Sequence, residues 1–144
     1  MAETKPSANC VVFPSQKETI QFYSNTHVVM NLSKPDGWIE TFGMSVLEAM
    51  AFGKPVICPP VGGVLELIED GVHGYTLNSS DEERICTALQ ALYADKQMYV
   101  QMASAAIEKS RHFNNANFSN HVNAIFSEML PSRNETMAHS ISQI

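Results

Sequence analysis

Apolar positions along the chain fall into two rhythms. Short unbroken runs occur at Cys10 to Phe13 ("CVVF"), His27 to Ser33 ("HVVMNLS"), Lys54 to Pro60 ("KPVICPP") and Gly74 to Leu77 ("GYTL"). Proline, glycine or polar residues bound them, as they bound buried strands. Elsewhere the spacing turns helical. Ser15 and Glu18 make a capping-box pattern ahead of Ile20, Phe22 and Tyr23, which predicts a short helix. Met44, Leu47, Met50 and Ala51 predict a helix from Phe42 or Gly43 to Phe52, closed by Gly53. Gly62-Gly63 opens a short helix carrying Leu65, Leu67 and Ile68, and Asp70-Gly71 with Gly74 marks a turn. "NSSDEE" opens a helix from about Asp81 to Ala94, with acids in the first turn where the dipole favours them. Two further helices are expected over about Lys96 to Arg111 and about Asn115 to Leu130, the last ended by Pro131.

Strands that alternate with helices and are apolar on both faces imply an α/β fold. The expectation is a Rossmann-like parallel sheet of about four strands with helices on both faces. Residues 1–8 form a polar lead, 9–130 the domain, and 131–144 a polar tail expected to be disordered. In such sheets ligands bind beyond the carboxyl ends of the strands. The loops Ser33 to Phe42 and Pro59 to Gly63 both lie there, so they should converge on one crevice.

Composition narrows the partners. A chain of 144 residues that is 44% hydrophobic suits one domain with a real core. Its net charge of -6 disfavours nucleic acid and anionic lipid. Cys10, Cys58 and Cys86 show no CxxC spacing, and Cys10 and Cys58 sit in apolar runs, so buried reduced thiols are expected. No apolar run reaches the roughly 18 residues of a membrane span, and "MAETKPSAN" has no signal-peptide core. A cytoplasmic location is the expectation, with the sequons at Asn31, Asn78, Asn117 and Asn134 as chance matches. The histidines have no metal-ligand spacing, so no metal is expected.

The chemistry concentrates in "WIETFGMSVLEAMAFGKPVI". Glu40 precedes the predicted helix and Glu48 lies a turn inside it, about 12 Å apart at helical rise. Between them the amides of Gly43, Met44 and Ser45 are unpaired helix-opening donors, which favour an anion and phosphate above all. A carboxylate can accept two hydrogen bonds from a vicinal diol. The order carboxylate, anion site, carboxylate therefore fits a ligand with a sugar at each end and a pyrophosphate between, the form of a nucleotide sugar. Acids near a helix start also serve as plain dipole complements, and Glu48 can be read as a solvated surface residue. Trp38 beside Glu40 reads equally as a stacking surface or a loop anchor.

From Cys10 to Phe118 the chain resembles the C-terminal, donor-binding domain of retaining family 4 (group 1) glycosyltransferases of the GT-B architecture. The shared features are E-x7-E with Phe-Gly after the first acid, Glu-Ala-Met, a Gly-x-Pro-Val strand, Gly-Gly-x-x-Glu and an Asp-Gly…Gly turn. The resemblance implies that Glu40, the catalytic-site acid, contacts donor-sugar hydroxyls. Phe42, Gly43 and Met44 would offer amides to sugar and diphosphate, with Ser45 at the phosphate end and Glu48 on the ribose hydroxyls. Gly62 and Gly63 would shape the neighbouring loop, although a plain tight turn reads as well there, and Glu66 would be structural. Thr41 stands where the family often has glycine. No cofactor beyond the nucleoside diphosphate sugar donor is implied.

The same resemblance implies that the chain corresponds to the latter two-thirds of a donor domain. An acceptor domain would lie in the same or a neighbouring chain. The family's Arg/Lys pair, which neutralises the diphosphate, has no counterpart among Lys5, Lys17 and Lys34. Little transferase activity is therefore expected of the chain alone. The alternatives are a non-catalytic nucleotide-binding module and a remnant without activity. An uncovered apolar sheet edge invites pairing with a second copy, which a clean monomer on sedimentation would exclude.

Overall fold

The computed structural model describes residues 9–34, 37 and 39–129. Its elements are α1 (Ile20–Asn25), β1 (Val29–Met30), α2 (Met44–Ala51), β2 (Val56–Cys58), a 3₁₀ helix (Gly63–Glu66), β3 (Gly74–Thr76), α3 (Glu82–Ala94), α4 (Lys96–Ser110) and α5 (Asn115–Met129). The three strands form one parallel sheet in the order β1-β2-β3. Val29 aligns with Val56, and Val56 in turn with Gly74.

Residue alternation along β2 explains the layering. Val56 and Cys58 pack with Val46, Ala49 and Met50 of α2 and Ala106 of α4. Ile57, between them, turns to the other face and packs with Leu77 and with Ile85 and Ala88 of α3. A strand buried on both faces needs a helix layer on each, and these sequences supply them. Burial of Val46 and Met50, both fully enclosed, contributes roughly 1.5–3 kcal/mol each. Gly53 lets α4 come close, because a Cβ there would lie 2.9 Å from Ile107 Cδ1.

Local signals set the later helices. The Asp81 carboxylate accepts from the Arg84 amide at 3.1 Å, and Glu82 and Glu83 fill the first turn of α3. Asp95 closes α3 with its amide, which donates to Ala91 O, and opens α4 with its carboxylate, which accepts from Met98 N at 2.9 Å. The Asp-Gly…Gly turn is structural. Asp70 accepts from Thr76 N at 2.7 Å, and a Cβ on Gly74 would lie 1.9 Å from Val56 O.

Several expectations fail at the amino-terminal side. Cys10 to Phe13 forms no strand: Val11, Val12 and Phe13 are exposed, and the described residues form a sheet of three strands rather than four. Cys10 is accordingly exposed, not buried, whereas Cys58 is buried as expected. An apolar run becomes a strand only with a ladder to join, and Pro14 follows this one at once. The Ser15/Glu18 capping box is not used. Helix α1 begins after Thr19, without a side-chain cap. The expected lead and tail, with Leu130, Pro131 and Trp38, lie outside the described residues.

Candidate functional site

Two loops leave the carboxyl ends of β1 and β2 and meet. The Gly63 amide donates to Glu40 O at 2.9 Å, which ties the loop after β2 to the residue that precedes α2. The approach is tight. A Cβ on Gly62 would lie 2.5 Å from Glu40 O, and one on Gly63 would lie 1.6 Å from Thr41 O. Both glycines are therefore packing elements of this junction. Gly62 also adopts φ +92°, open to glycine at little cost.

Gly43 starts α2 from a left-handed conformation, φ +86°, and its carbonyl accepts from Val46 N and Leu47 N. The amides of Gly43, Met44 and Ser45 have no partner among the described residues. Met44 and Ser45 are exposed, whereas Gly43 is buried beneath Val64, whose Cγ1 would lie 2.7 Å from an added Cβ. Glu40 is half-buried, with its Cγ 3.5 Å from that same point. Glu40, the α2 amides and the Gly62-Gly63 loop thus form one continuous junction, with bare donors at its centre. Such donors at a helix start attract an anion.

Glu48 sits one turn further into α2, half-buried. Tyr23 of α1 faces it. The Tyr23 ring stacks on Phe52 at a centroid separation of 5.6 Å and an interplanar angle of 24°. Burial first, then the Glu48 carboxylate as acceptor and as charge, pushes the phenol up to about 12. Phe42 turns its side chain away from the loop and meets Phe113 edge-to-face at 5.9 Å. Beside it opens a hollow of about 630 Å³, whose lining includes Met44, Leu47, Phe118 and His121. Among the described residues no group of three or more His, Cys, Asp or Glu could hold a metal ion.

Sequence reasoning missed Tyr23 and Phe113. Tyr23 reads as one more apolar residue of a short helix, and only its stacking on Phe52 distinguishes it. Phe113 belongs to the turn between α4 and α5, where periodicity carries no signal.

A family model for "Glycosyl transferases group 1" matches residues 1–109. The chain belongs to the group 1 glycosyl transferases. Among similar proteins, D-inositol 3-phosphate glycosyltransferase of Corynebacterium kroppenstedtii is 31% identical over 63% of this chain and 20% of its own length. Sucrose synthase of Acidithiobacillus caldus is 36% identical over 49% of the chain and 9% of its own. Among solved structures, Anabaena HepE in complex with UDP superposes with a TM-score of 0.67 at 27% identity, covering 75% of this chain and 29% of HepE. The glycosyltransferase chain thus spans a fifth or less of these curated relatives and under a third of HepE. Its α/β sheet and helices are those of GT-B, Rossmann-like glycosyltransferases. None of its helices, among the described residues, is long and apolar enough to cross a membrane.

Proposed function

We propose that this domain is the nucleotide-sugar-binding part of a retaining family 4 glycosyltransferase. It serves the transfer of a hexose-type sugar from a nucleoside diphosphate to a glycan or lipid acceptor. The observation that carries this reading is the junction at the start of α2. Unpartnered amides of Gly43, Met44 and Ser45 lie beside Glu40, with Gly63 bonded to Glu40 O. In this assignment the diphosphate sits on those amides, Glu40 binds donor-sugar hydroxyls, and Glu48 accepts from the ribose diol. Gly62 and Gly63 keep the two loops in register. HepE has been solved with UDP and with UDP-glucose, which supports a nucleotide-sugar ligand.

Transfer makes a nucleoside diphosphate leaving group, and helix-end amides stabilise part of its developing charge. A positioned acceptor and further cations supply the rest, so the chain alone binds donor without efficient turnover. The acceptor domain belongs to the same or a neighbouring chain. The outer edge of β1, where Met30 and Leu32 are exposed, is where another strand would pair.

Calorimetric titration of UDP, GDP and ADP tests the reading. One diphosphate should bind, and Glu48→Ala should weaken it more than tenfold, because a hydrogen bond to a charged group contributes about 1.5–3 kcal/mol. Affinity unchanged by Glu48→Ala would refute the ribose role.

A further inference from the structure

We propose that the hollow between the start of α2 and α5 receives the alkyl chain of a lipid acceptor, so that the sugar passes to a lipid and not to a glycan. This rests on the reading of the α2 amides as the diphosphate site. The hollow holds about 630 Å³, within the roughly 300–1,000 Å³ that small-molecule sites span. Phe42, Met44 and Leu47 line it from the α2 side, and Phe113 and Phe118 from the other. Its lining contains no aspartate, glutamate, lysine or arginine.

The apolar walls are held in place. Phe42, Leu47 and Phe113 pack against the core around α2, and Phe42 meets Phe113 edge-to-face at 5.9 Å. The polar rim is already engaged by the chain itself. Asn114 Nδ2 donates to Arg111 O at 2.7 Å, and Asn114 Oδ1 accepts from Asn117 N at 2.9 Å. Asn117 Nδ2 donates to His112 O, and His121 Nδ1 pairs with Asn117 O, both at 2.9 Å. A glycan would bring many hydroxyls against such walls and leave them unpaired, which is costly. An alkyl chain has none to leave unpaired, and it gains by leaving water. Position assigns the chain to the acceptor. Met44 lends its side chain to the hollow, while its amide is one of the bare donors at the helix start. A chain lying in the hollow therefore has its head beside the donor's diphosphate, where an accepting hydroxyl must be held. Phe118, at 70% exposure, leaves the hollow open to entry.

The test titrates the full chain with methyl, hexyl and octyl β-glucoside below micelle formation, with and without saturating UDP. Each buried methylene strengthens binding about fourfold, so octyl glucoside should bind about fifteenfold more tightly than hexyl, and methyl glucoside far more weakly. UDP should bind alongside them without displacement. Phe118→Glu places a charge in the hollow and should abolish the chain-length dependence, with UDP affinity kept within about twofold. Phe126→Glu, on the same helix but outside the lining, should preserve it. Normal UDP binding with no dependence on chain length, or with equal affinity for methyl and octyl glucoside, overturns the lipid site and leaves the donor reading standing. Dependence that survives Phe118→Glu places the alkyl chain elsewhere and overturns it too. If the alkyl glucosides bind but no nucleoside diphosphate does, the donor reading fails, and the acceptor role of the hollow fails with it.

Discussion

Gly63→Ala is the sharpest perturbation of the junction. The conformation of Gly63 is not left-handed, so sterics alone oppose a side chain there. The added methyl carbon would lie 1.6 Å from Thr41 O, 2.5 Å from Thr41 C and 3.1 Å from Phe42 N. These are backbone atoms, which cannot swing aside as a side-chain tip can. To reach an ordinary C···O contact of about 3.3 Å the loops must part by about 1.7 Å. That breaks the 2.9 Å bond from Gly63 N to Glu40 O. Overpacking typically costs about 1–3 kcal/mol and a lost hydrogen bond about 0.5–1.5, so a destabilisation of roughly 2–4 kcal/mol is expected. Glu40 moves with its carbonyl, and UDP affinity should fall at least about tenfold, since ångström-scale misplacement at a site is that damaging. Urea denaturation and calorimetry on the same preparation read both numbers. Gly71→Ala is the control: Gly71 has φ +77° but nothing within 4 Å of an added Cβ. It should cost only about 1–2 kcal/mol of left-handed strain and leave UDP binding alone. A Gly63→Ala chain with unchanged midpoint and unchanged affinity would show that the loops do not dovetail as described.

Two further outcomes follow from buried groups. Burial, then the charge of Lys109, holds His73 below its usual 6.5, with Glu69 opposing by less, and its Nδ1 accepts from Glu69 N at 3.1 Å. The unfolded chain takes up this proton more readily, so stability is complete above pH 6.5 and falls as pH drops below it, by at most ~1.4 kcal/mol per pH unit. Unfolding midpoints from pH 7.5 to 5 should show that slope, and His73→Asn, which keeps an acceptor, should flatten it; an equal slope in both removes His73 as the cause. Cys58 is fully buried, and burial with the charge of Asp70 pushes its thiol up to about 11. A thiol reagent should therefore modify Cys10 and Cys86 in the native chain and reach Cys58 only on unfolding. Rapid native labelling of all three would contradict the packing of β2.

The sequence was most legible where one signal did several jobs. Asp81 and Asp95 bracket α3, and their carboxylates fix the starts of α3 and α4, so those helices lie within a residue or so of expectation. Gly43 was legible as a point of close approach and Gly62-Gly63 as a loop former, and in the fold the group that approaches each of them is the protein itself. The contacts that exclude a Cβ come from the Val64 side chain at Gly43 and from the backbone oxygens of Glu40 at Gly62 and Thr41 at Gly63. Cys10 to Phe13 misled because an apolar run reports burial only when something covers it, and here Phe13 meets Phe22 edge-to-face at 5.0 Å while Val11 and Val12 stay exposed. Tyr23 was illegible for a different reason. Its contact with α2 joins residues about thirty positions apart, and no local pattern records such a pairing.

The account depends on where the phosphates of a bound donor lie. Backbone amide shifts of the labelled chain, followed by NMR as UDP is added, report this directly. The largest changes should fall on Gly43, Met44 and Ser45, with a second set at Glu48 and little on α5. Saturable binding whose main shifts lie elsewhere, with those three amides unmoved, would contradict it.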